Sequence, residues 1–242
     1  MPEAGLRSAL RFALLAGVFA LGAWLQSRGA LAALMQYQGD VLYLARQHLV
    51  LTAISAAIAI AVGVPLGVLL TRARFERFAD AVTQVVNLGT TIPTLALLAL
   101  AMSFLGIGAP PAIFALFVLT LLPIVLNTTA GLRSVPGYLI EAARGMGMTA
   151  GQILWRVELP NAVFVILAGV RTALAINVGT VPLAFLIGGG GLGELIFTGI
   201  DLMDTSMLLA GAIPTALLAV AVDFVTGQIQ YWLVPKGVNP LR

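Results

Sequence analysis

The chain has 242 residues, of which 60% are hydrophobic and 10% are charged, with a net charge of +3. Soluble domains average about 45–50% apolar and about 25% charged residues, so this composition, with a mean hydropathy of +1.03, predicts an all-α integral membrane protein. Because it has no cysteine and one histidine, we expect no cysteine nucleophile, no thiolate site and no multi-histidine metal centre. The single histidine, His48, lies at a span edge and no carboxylate pair lies inside a span, so we expect no catalytic residue.

Apolar stretches long enough for a bilayer core, about 20 residues, predict about six transmembrane helices in a polytopic fold that forms a single domain over residues 1–242. The first span resembles a signal peptide, but it lacks a small-residue cleavage site and we interpret it as uncleaved. In the second span, Gly63 and Gly67 have the small-xxx-small spacing that permits close helix packing. In chain order, the predicted spans cover residues 8–25, 49–70, 81–105, 110–130, 162–187 and 206–226.

Prolines within or near these spans predict irregular helices around a cavity, because neighbouring helices can satisfy the backbone groups that a proline frees. They are Pro65, Pro93, Pro123, Pro182 and Pro214.

The basic residues are unevenly divided between the two sides of the membrane that six spans imply. Only Arg28 and Arg46 fall on one side, and Arg171 lies inside the fifth span. By the positive-inside rule both termini are predicted to be cytoplasmic. Arginines scattered in this way indicate topology, so we expect no nucleic-acid partner. The basic residues on the predicted cytoplasmic side are Arg7, Arg11, Arg72, Arg74, Arg77, Arg133, Arg144, Arg156, Lys236 and Arg242.

The longest predicted cytoplasmic connection, residues 131–161, has the composition of two short amphipathic helices. We expect one over 138–148 and a second over 150–157. Gly145 and Gly147 are expected to form the corner between them, since glycine permits a bend that a Cβ disfavours.

This connection resembles the EAA loop of permease subunits of ATP-binding-cassette importers, and residues 131–161 are called the EAA loop below. Val157 stands where the family pattern has isoleucine, and every spacing agrees. The resemblance implies the type I importer permease fold and a loop helix that docks in a groove of a cytoplasmic ATPase, where Ala142 and Ala143 would leave a flat surface for close approach. The matching residues are Glu141, Ala142, Ala143, Gly147, Val157, Leu159 and Pro160.

The resemblance also implies the assembly in which the chain works. It implies a second permease subunit, identical or similar, two cytoplasmic ATPase subunits that carry ATP and Mg²⁺, and an extracytoplasmic binding protein. The chain would lie in lipid, in the cell (inner) membrane of a bacterium or archaeon. It would be a transporter subunit that is not itself an enzyme and binds no cofactor.

Residues 188–193 read GGGGLG and satisfy the dinucleotide-binding pattern G-x-G-x-x-G. Because they follow a membrane span on the predicted outer face, we reject a nucleotide site. The phosphate-loop pattern G-x-x-x-x-G-K-[ST] is absent from the sequence, so ATP hydrolysis must come from a partner. We expect a flexible outer gate here, with acidic neighbours Asp201 and Asp204 that face a binding protein or a cationic ligand, or that are ordinary solvated charges. The gate candidates are Gly188, Gly190, Gly191, Gly193 and Glu194.

The segment 187–200 resembles the external loop of importers for glycine betaine, choline and carnitine, and residues 92–98 resemble the "TIPSLALL" stretch of the same group. The resemblance covers about residues 45–235 of the chain. It implies an osmoprotectant substrate. The alternatives are a permease for methionine or another amino acid or amine, since methionine importers have a related glycine run, and a passive channel.

Polar residues inside spans are candidates for the substrate pathway, although asparagine and threonine also join helices. Arg171 and Asp223 either pair with each other or reach the interface separately. Because no span shows a cluster of Trp and Tyr, we expect substrate affinity to lie in the binding protein. The pathway candidates are Thr91, Pro93, Asn127, Asn177 and Thr180.

Overall fold

A computed structural model describes residues 17, 20, 22–24, 26, 27, 29–235 and 237 of the chain. Over the range 30–233 the regular elements are helices, which confirms the predicted all-helical fold. A π-helical turn, Leu154–Glu158, joins α7 to α8, and a 3-10 segment, Val181–Ile187, extends α8. The α-helices are α1 Ala30–Gln36, α2 Gln38–Leu70, α3 Glu76–Thr91, α4 Thr94–Leu105, α5 Ala109–Arg133, α6 Gly137–Gly145, α7 Ala150–Ile153, α8 Leu159–Thr180, α9 Gly193–Asp201 and α10 Thr205–Leu233.

Four helical stretches among the described residues are long and apolar enough to cross a membrane: α2, α5, the stretch 150–187 and α10. They confirm four of the predicted spans, and each is longer than its prediction. The predicted first span, 8–25, lies largely outside the described residues, as do Arg7, Arg11, Arg28, Lys236 and Arg242.

The third predicted span, 81–105, is a bent pair of helices and not the single helix that we expected. The segments 81–89 and 94–105 form an angle of 97°. Pro93 lacks an N–H and disfavours helical backbone in the preceding residue, and Ile92 is extended with φ −72° and ψ 124°. The bend therefore follows directly from the Ile92-Pro93 dipeptide.

Helices α2, α5 and α8 pack together at the centre, and glycines set the distance between α2 and α5. A Cβ at Gly63 would meet Ile124 at 2.8 Å, and one at Gly67 would meet Thr128 at 2.6 Å. Real Cβ atoms do not approach neighbours this closely, so both positions require glycine at the present helix separation. The close packing predicted for this glycine pair is confirmed.

Helix α10 packs on α9 and α8 and, less extensively, on α1 and α2. Just 11% of its most apolar window is buried in the chain, and Val220, Phe224 and Val225 are exposed. A membrane helix with this much uncovered surface is covered by lipid, by another subunit or by a water-filled path.

Candidate functional site

The EAA loop displays α6 on the surface of the chain. Glu141 and Ala142 are exposed, as a docking surface requires. Ala143 is 1% exposed, so it packs α6 against the rest of the chain and does not belong to the flat outer surface expected from the sequence. Of the two alanines in the motif, one faces outward and the other anchors the helix.

Three large side chains of the EAA loop that the sequence interpretation did not select are exposed. Tyr138, Met146 and Trp155 are 69%, 75% and 72% exposed. Large apolar side chains exposed together mark interaction sites, and aromatic residues and methionine are enriched at the centre of protein interfaces. Their signal in the sequence was their presence in the longest predicted cytoplasmic connection, among charged residues.

The corner after α6 is a Schellman motif centred on Gly147. The Met148 N–H donates to the Ala143 carbonyl at 3.1 Å, and the Gly147 N–H donates to the Arg144 carbonyl at 2.9 Å. Gly147 has φ +77°, the left-handed conformation that this motif requires and that glycine adopts without strain. The predicted glycine corner is confirmed at Gly147, whereas Gly145 is the last residue of the helix.

The second half of the EAA loop starts the longest helical stretch of the chain. A capping box fixes its first residue: the Thr149 N–H donates to Gln152 Oε1 at 2.8 Å, and the Gln152 N–H donates to Thr149 Oγ1 at 3.4 Å. The helix expected over 150–157 does not end at Pro160 but continues to Ile187. The second helix of the EAA loop was expected to end before the fifth span, but it forms the first part of that span.

The π-helical turn explains how this stretch passes Pro160 without a break. Proline clashes with the carbonyl four residues earlier in a regular helix, and the Leu159 N–H instead reaches the Leu154 carbonyl five residues back. Val157, Leu159 and Pro160 are half-buried, and Leu159 packs on a cluster around Leu132. These motif residues therefore join the loop to the membrane helices and do not form its outer surface.

An ion pair connects the EAA loop to the end of α2. Arg72 Nη1 lies 2.7 Å from Glu158 Oε2, with 29% and 11% of the two side chains exposed. Arg72 lies two residues after the end of α2, and Glu158 is the last residue of the π-helical turn. The ion pair therefore connects the loop to the end of α2 as well as to α8.

We expect Arg72→Gln to destabilise the chain, because it leaves the largely buried Glu158 carboxylate without its charged partner. The expected loss is about 1–3 kcal/mol, measured as a lower Tm of the purified protein in detergent. The matched control is Arg74→Gln, which neutralises an exposed arginine two residues away. Equal changes in Tm for the two variants would show that the ion pair contributes nothing specific.

The glycine-rich loop, residues 188–193, follows the other end of the 150–187 stretch. Gly188, Gly190 and Gly191 have φ of +76°, +78° and +88°, so these positions use the conformational freedom expected of them. The Gly191 N–H donates to Gln47 Oε1 on α2 at 3.0 Å. The loop is thus folded against α2 in a defined conformation.

Gly193 is required for a different reason, which is space. A Cβ there would overlap the carbonyl oxygen of Pro182 in the 3-10 segment. Gly193 is buried, whereas Glu194 beside it is exposed. The first turn of α9 is therefore packed directly on the backbone that ends the long helical stretch.

Of the acidic residues near this loop, Asp204 has a structural role. Its carboxylate accepts the N–H groups of Ser206 and Met207 at the start of α10, at 2.8 and 3.1 Å, and the Tyr37 hydroxyl at 3.0 Å. The Met207 N–H and then the Tyr37 hydroxyl hold the pKa of Asp204 below its usual range. Glu194 and Asp201 are exposed and remain candidates for an acidic surface.

Four of the five pathway candidates donate hydrogen bonds to other groups of the chain. Thr91, Asn127 and Thr180 donate to carbonyls of their own helices, at 2.8, 2.8 and 2.6 Å. Pro93 lies at the α3–α4 bend. Asn177 is 0% exposed and donates to Ser55 Oγ of α2 at 2.8 Å, so it joins two helices.

Arg171 of α8 and Asp223 of α10 pair with each other, which confirms one of the two alternatives considered for them. Arg171 Nε and Nη2 donate to the two carboxylate oxygens of Asp223 at 2.6 and 2.7 Å, the bidentate geometry in which guanidinium–carboxylate pairs are strongest. At a rise of 1.5 Å per residue, Arg171 lies about 18 Å along α8 from its start and Asp223 about 15 Å before the end of α10. Both helices are long and apolar enough to cross a membrane, so the pair lies within the membrane-spanning part of the chain, where a charged residue costs up to about 2.5–3.5 kcal/mol on insertion scales.

Comparisons with known proteins identify the family to which this helical membrane fold belongs. Residues 63–237 match the family described as "Binding-protein-dependent transport system inner membrane component". The chain is 54% identical to the "Osmoprotectant import permease protein OsmY" of Salmonella typhimurium over 83% of this chain and 85% of that one. It is 40% identical to the "Glycine betaine/carnitine/choline transport system permease protein OpuCB" of Bacillus subtilis over 84% and 93% of the two chains.

A solved structure of the MetNI methionine ABC transporter in an inward-facing conformation has the same fold. It superposes with a TM-score of 0.71 at 26% identity and covers 79% of this chain and 94% of that chain. The EAA loop, the glycine-rich loop and the membrane helices between them thus lie in a type I importer permease fold. The chain is a multi-pass membrane protein that belongs to the family of inner-membrane permease components of binding-protein-dependent ATP-binding-cassette importers.

Proposed function

We propose that this permease subunit forms the membrane pathway for an osmoprotectant such as glycine betaine, choline or carnitine. The observation that carries the proposal is the 54% identity, over 83% of the chain, with a permease named for osmoprotectant import. A permease named for glycine betaine, carnitine and choline adds 40% identity over 84% of the chain. The transporter named for methionine is 26% identical, so methionine is the weaker alternative.

The proposed assembly has two permease subunits, two ATPase subunits and an extracytoplasmic binding protein. The exposed face of α6, with Tyr138, Met146 and Trp155 around it, supports docking of an ATPase at the EAA loop. ATP and Mg²⁺ would bind to the ATPase and not to this chain. By the positive-inside rule the EAA loop and both termini face the cytoplasm, and the glycine-rich loop faces the binding protein.

The long helical stretch supplies the mechanical link in this proposal. Residues 150–187 run without a break from the EAA loop to the glycine-rich loop, a length of about 55–60 Å at the usual helical rise. When two ATPases close on ATP, a rigid helix of this kind carries a displacement of α6 to the outer end of the pathway. The Arg72–Glu158 ion pair couples the same displacement to α2.

Uptake by the complete transporter tests this function. Proteoliposomes that contain the permease, its ATPase and its binding protein are expected to accumulate labelled glycine betaine when ATP is inside them. Without ATP, accumulation should stop, which separates an importer from a passive channel. Accumulation of methionine but of none of the three osmoprotectants would overturn the substrate assignment.

A further inference from the structure

The Arg171–Asp223 ion pair lies on two membrane-spanning helices and is open to its surroundings. The side chains of Arg171 and Asp223 are 40% and 45% exposed. Intramembrane charges face the interior of an assembly or a water-filled cavity and not lipid. The face of the chain that carries this pair is therefore turned toward water or toward protein in the assembled transporter.

Two grooves meet at the pair, and both have Arg171 and Asp223 in their walls. The first, of about 480 Å³, lies along α10 and is called the α10 groove; the second, of about 500 Å³, lies along α8. Each has room for on the order of 15 water molecules at about 30 Å³ each. The α10 groove is lined by Arg171, Val220, Asp223, Phe224, Gly227, Gln228 and Tyr231.

The α10 groove combines the chemistry that a zwitterion needs. A guanidinium binds a carboxylate in a bidentate fashion, and a carboxylate beside aromatic rings binds a quaternary ammonium, which is attracted to ring faces. Phe224 and Tyr231 line the same groove, and Tyr231 lies about 12 Å further along α10 than Asp223. At Gly227 an added Cβ would lie 3.3 Å from the Arg171 guanidinium, so the missing side chain leaves room for that group on α10.

We propose that the Arg171–Asp223 pair is a transit site for a zwitterion that carries a carboxylate and a quaternary ammonium. The ligand carboxylate takes the place of Asp223 on Arg171, while the ligand ammonium takes the place of Arg171 against Asp223, Phe224 and Tyr231. The inference rests on the proposed function and adds a selectivity to it. A zwitterion compensates both charges when the pair opens, whereas choline, which has no carboxylate, leaves Arg171 without a partner.

The absence of cysteine from the chain permits a direct test by thiol labelling. Val220→Cys places one thiol in the α10 groove, and Val225→Cys places one on an exposed part of the same helix that is not in the groove lining. In the complete transporter in lipid nanodiscs, a water-soluble maleimide should label V220C at least tenfold faster than V225C. Similar labelling rates at the two positions would show that the α10 groove is covered by lipid or protein and is not filled with water.

Protection by ligands tests the site itself. Millimolar glycine betaine should slow labelling of V220C at least threefold, and an equal concentration of choline or acetate should slow it less. Adding Asp223→Asn to V220C should remove the protection by glycine betaine. Equal protection by choline, no protection by glycine betaine, or protection that survives D223N would each overturn the proposal.

The outcome is separable from that of the proposed function. A transporter that accumulates glycine betaine but shows no protection at V220C retains the proposed function and loses this site. A transporter that accumulates none of the osmoprotectants contradicts the proposed function. If glycine betaine still protected V220C in that transporter, the ligand would bind without being transported. That result would overturn the transit role of the site as well.

Discussion

Gly147→Val is expected to reduce ATP-driven uptake at least tenfold while the chain still inserts in the membrane. Gly147 has φ +77° at the end of α6, and a residue with a Cβ costs roughly 1–2 kcal/mol in this conformation, with β-branched side chains among the worst. The Schellman hydrogen bonds to the Ala143 and Arg144 carbonyls depend on that conformation. Their loss would misdirect α6, which is the proposed ATPase contact, without touching a membrane helix.

The control lies two residues away in the sequence. Gly145→Ala changes the last residue of α6, where an added Cβ would have no neighbouring atom within 4 Å and where φ is not positive. It should leave uptake unchanged, and Gly147→Asn should give an intermediate result because asparagine tolerates the left-handed conformation. Uptake is measured in proteoliposomes, with chain content checked by immunoblotting of membranes. Normal uptake by the valine variant would exclude a role for the corner in coupling.

Gly193→Ala is expected to be the most destabilising glycine-to-alanine substitution in the glycine-rich loop. The added Cβ would overlap the Pro182 carbonyl oxygen, and the next atoms in its way also belong to the Pro182 backbone. Backbone cannot rotate away as a flexible side chain can, so α9 must shift from the 3-10 segment. Inserting a methyl group into a packed site costs typically 1–3 kcal/mol, and we expect the upper end of that range.

The measurement is the Tm of the purified protein, followed by the fluorescence of its three tryptophans. Gly179→Ala is the matched control, because Gly179 lies in α8 and an added Cβ there would have no neighbouring atom within 4 Å. Alanine is favoured over glycine inside a helix by about 1 kcal/mol, so this variant should be as stable as the parent or more so. A Tm for G193A equal to that of G179A would contradict the packing argument.

The membrane class, the positions of the long spans and the corner of the EAA loop followed from the residues themselves. Hydropathy acts along a continuous stretch, so the 22 uncharged residues 49–70 predict a span wherever the helix packs. The left-handed turn at Gly147 is also local, because it depends on one residue and its immediate neighbours. These features need no knowledge of the rest of the fold.

The site residues were harder to predict because a sequence does not show which face of a helix meets a neighbour. Ala142 and Ala143 are adjacent and chemically identical, yet one is exposed and the other is 1% exposed. Asn177, a candidate for the pathway, is buried against Ser55 on a helix that lies 122 residues earlier in the chain. Burial of these residues depends on helix rotation and partner choice, which no local pattern encodes.

Hydropathy and motif spacing along the chain predict a helical membrane permease with the EAA loop before the fifth span and the glycine-rich loop after it. The fold shows that one unbroken helical stretch joins the two loops, because the π-helical turn accommodates Pro160, which was expected to interrupt it. It also shows that Arg171 and Asp223, 52 residues apart, form a bidentate pair. The physical reason is that hydropathy and backbone conformation are set by neighbours along the chain, whereas ion pairs and helix contacts are set by neighbours in space.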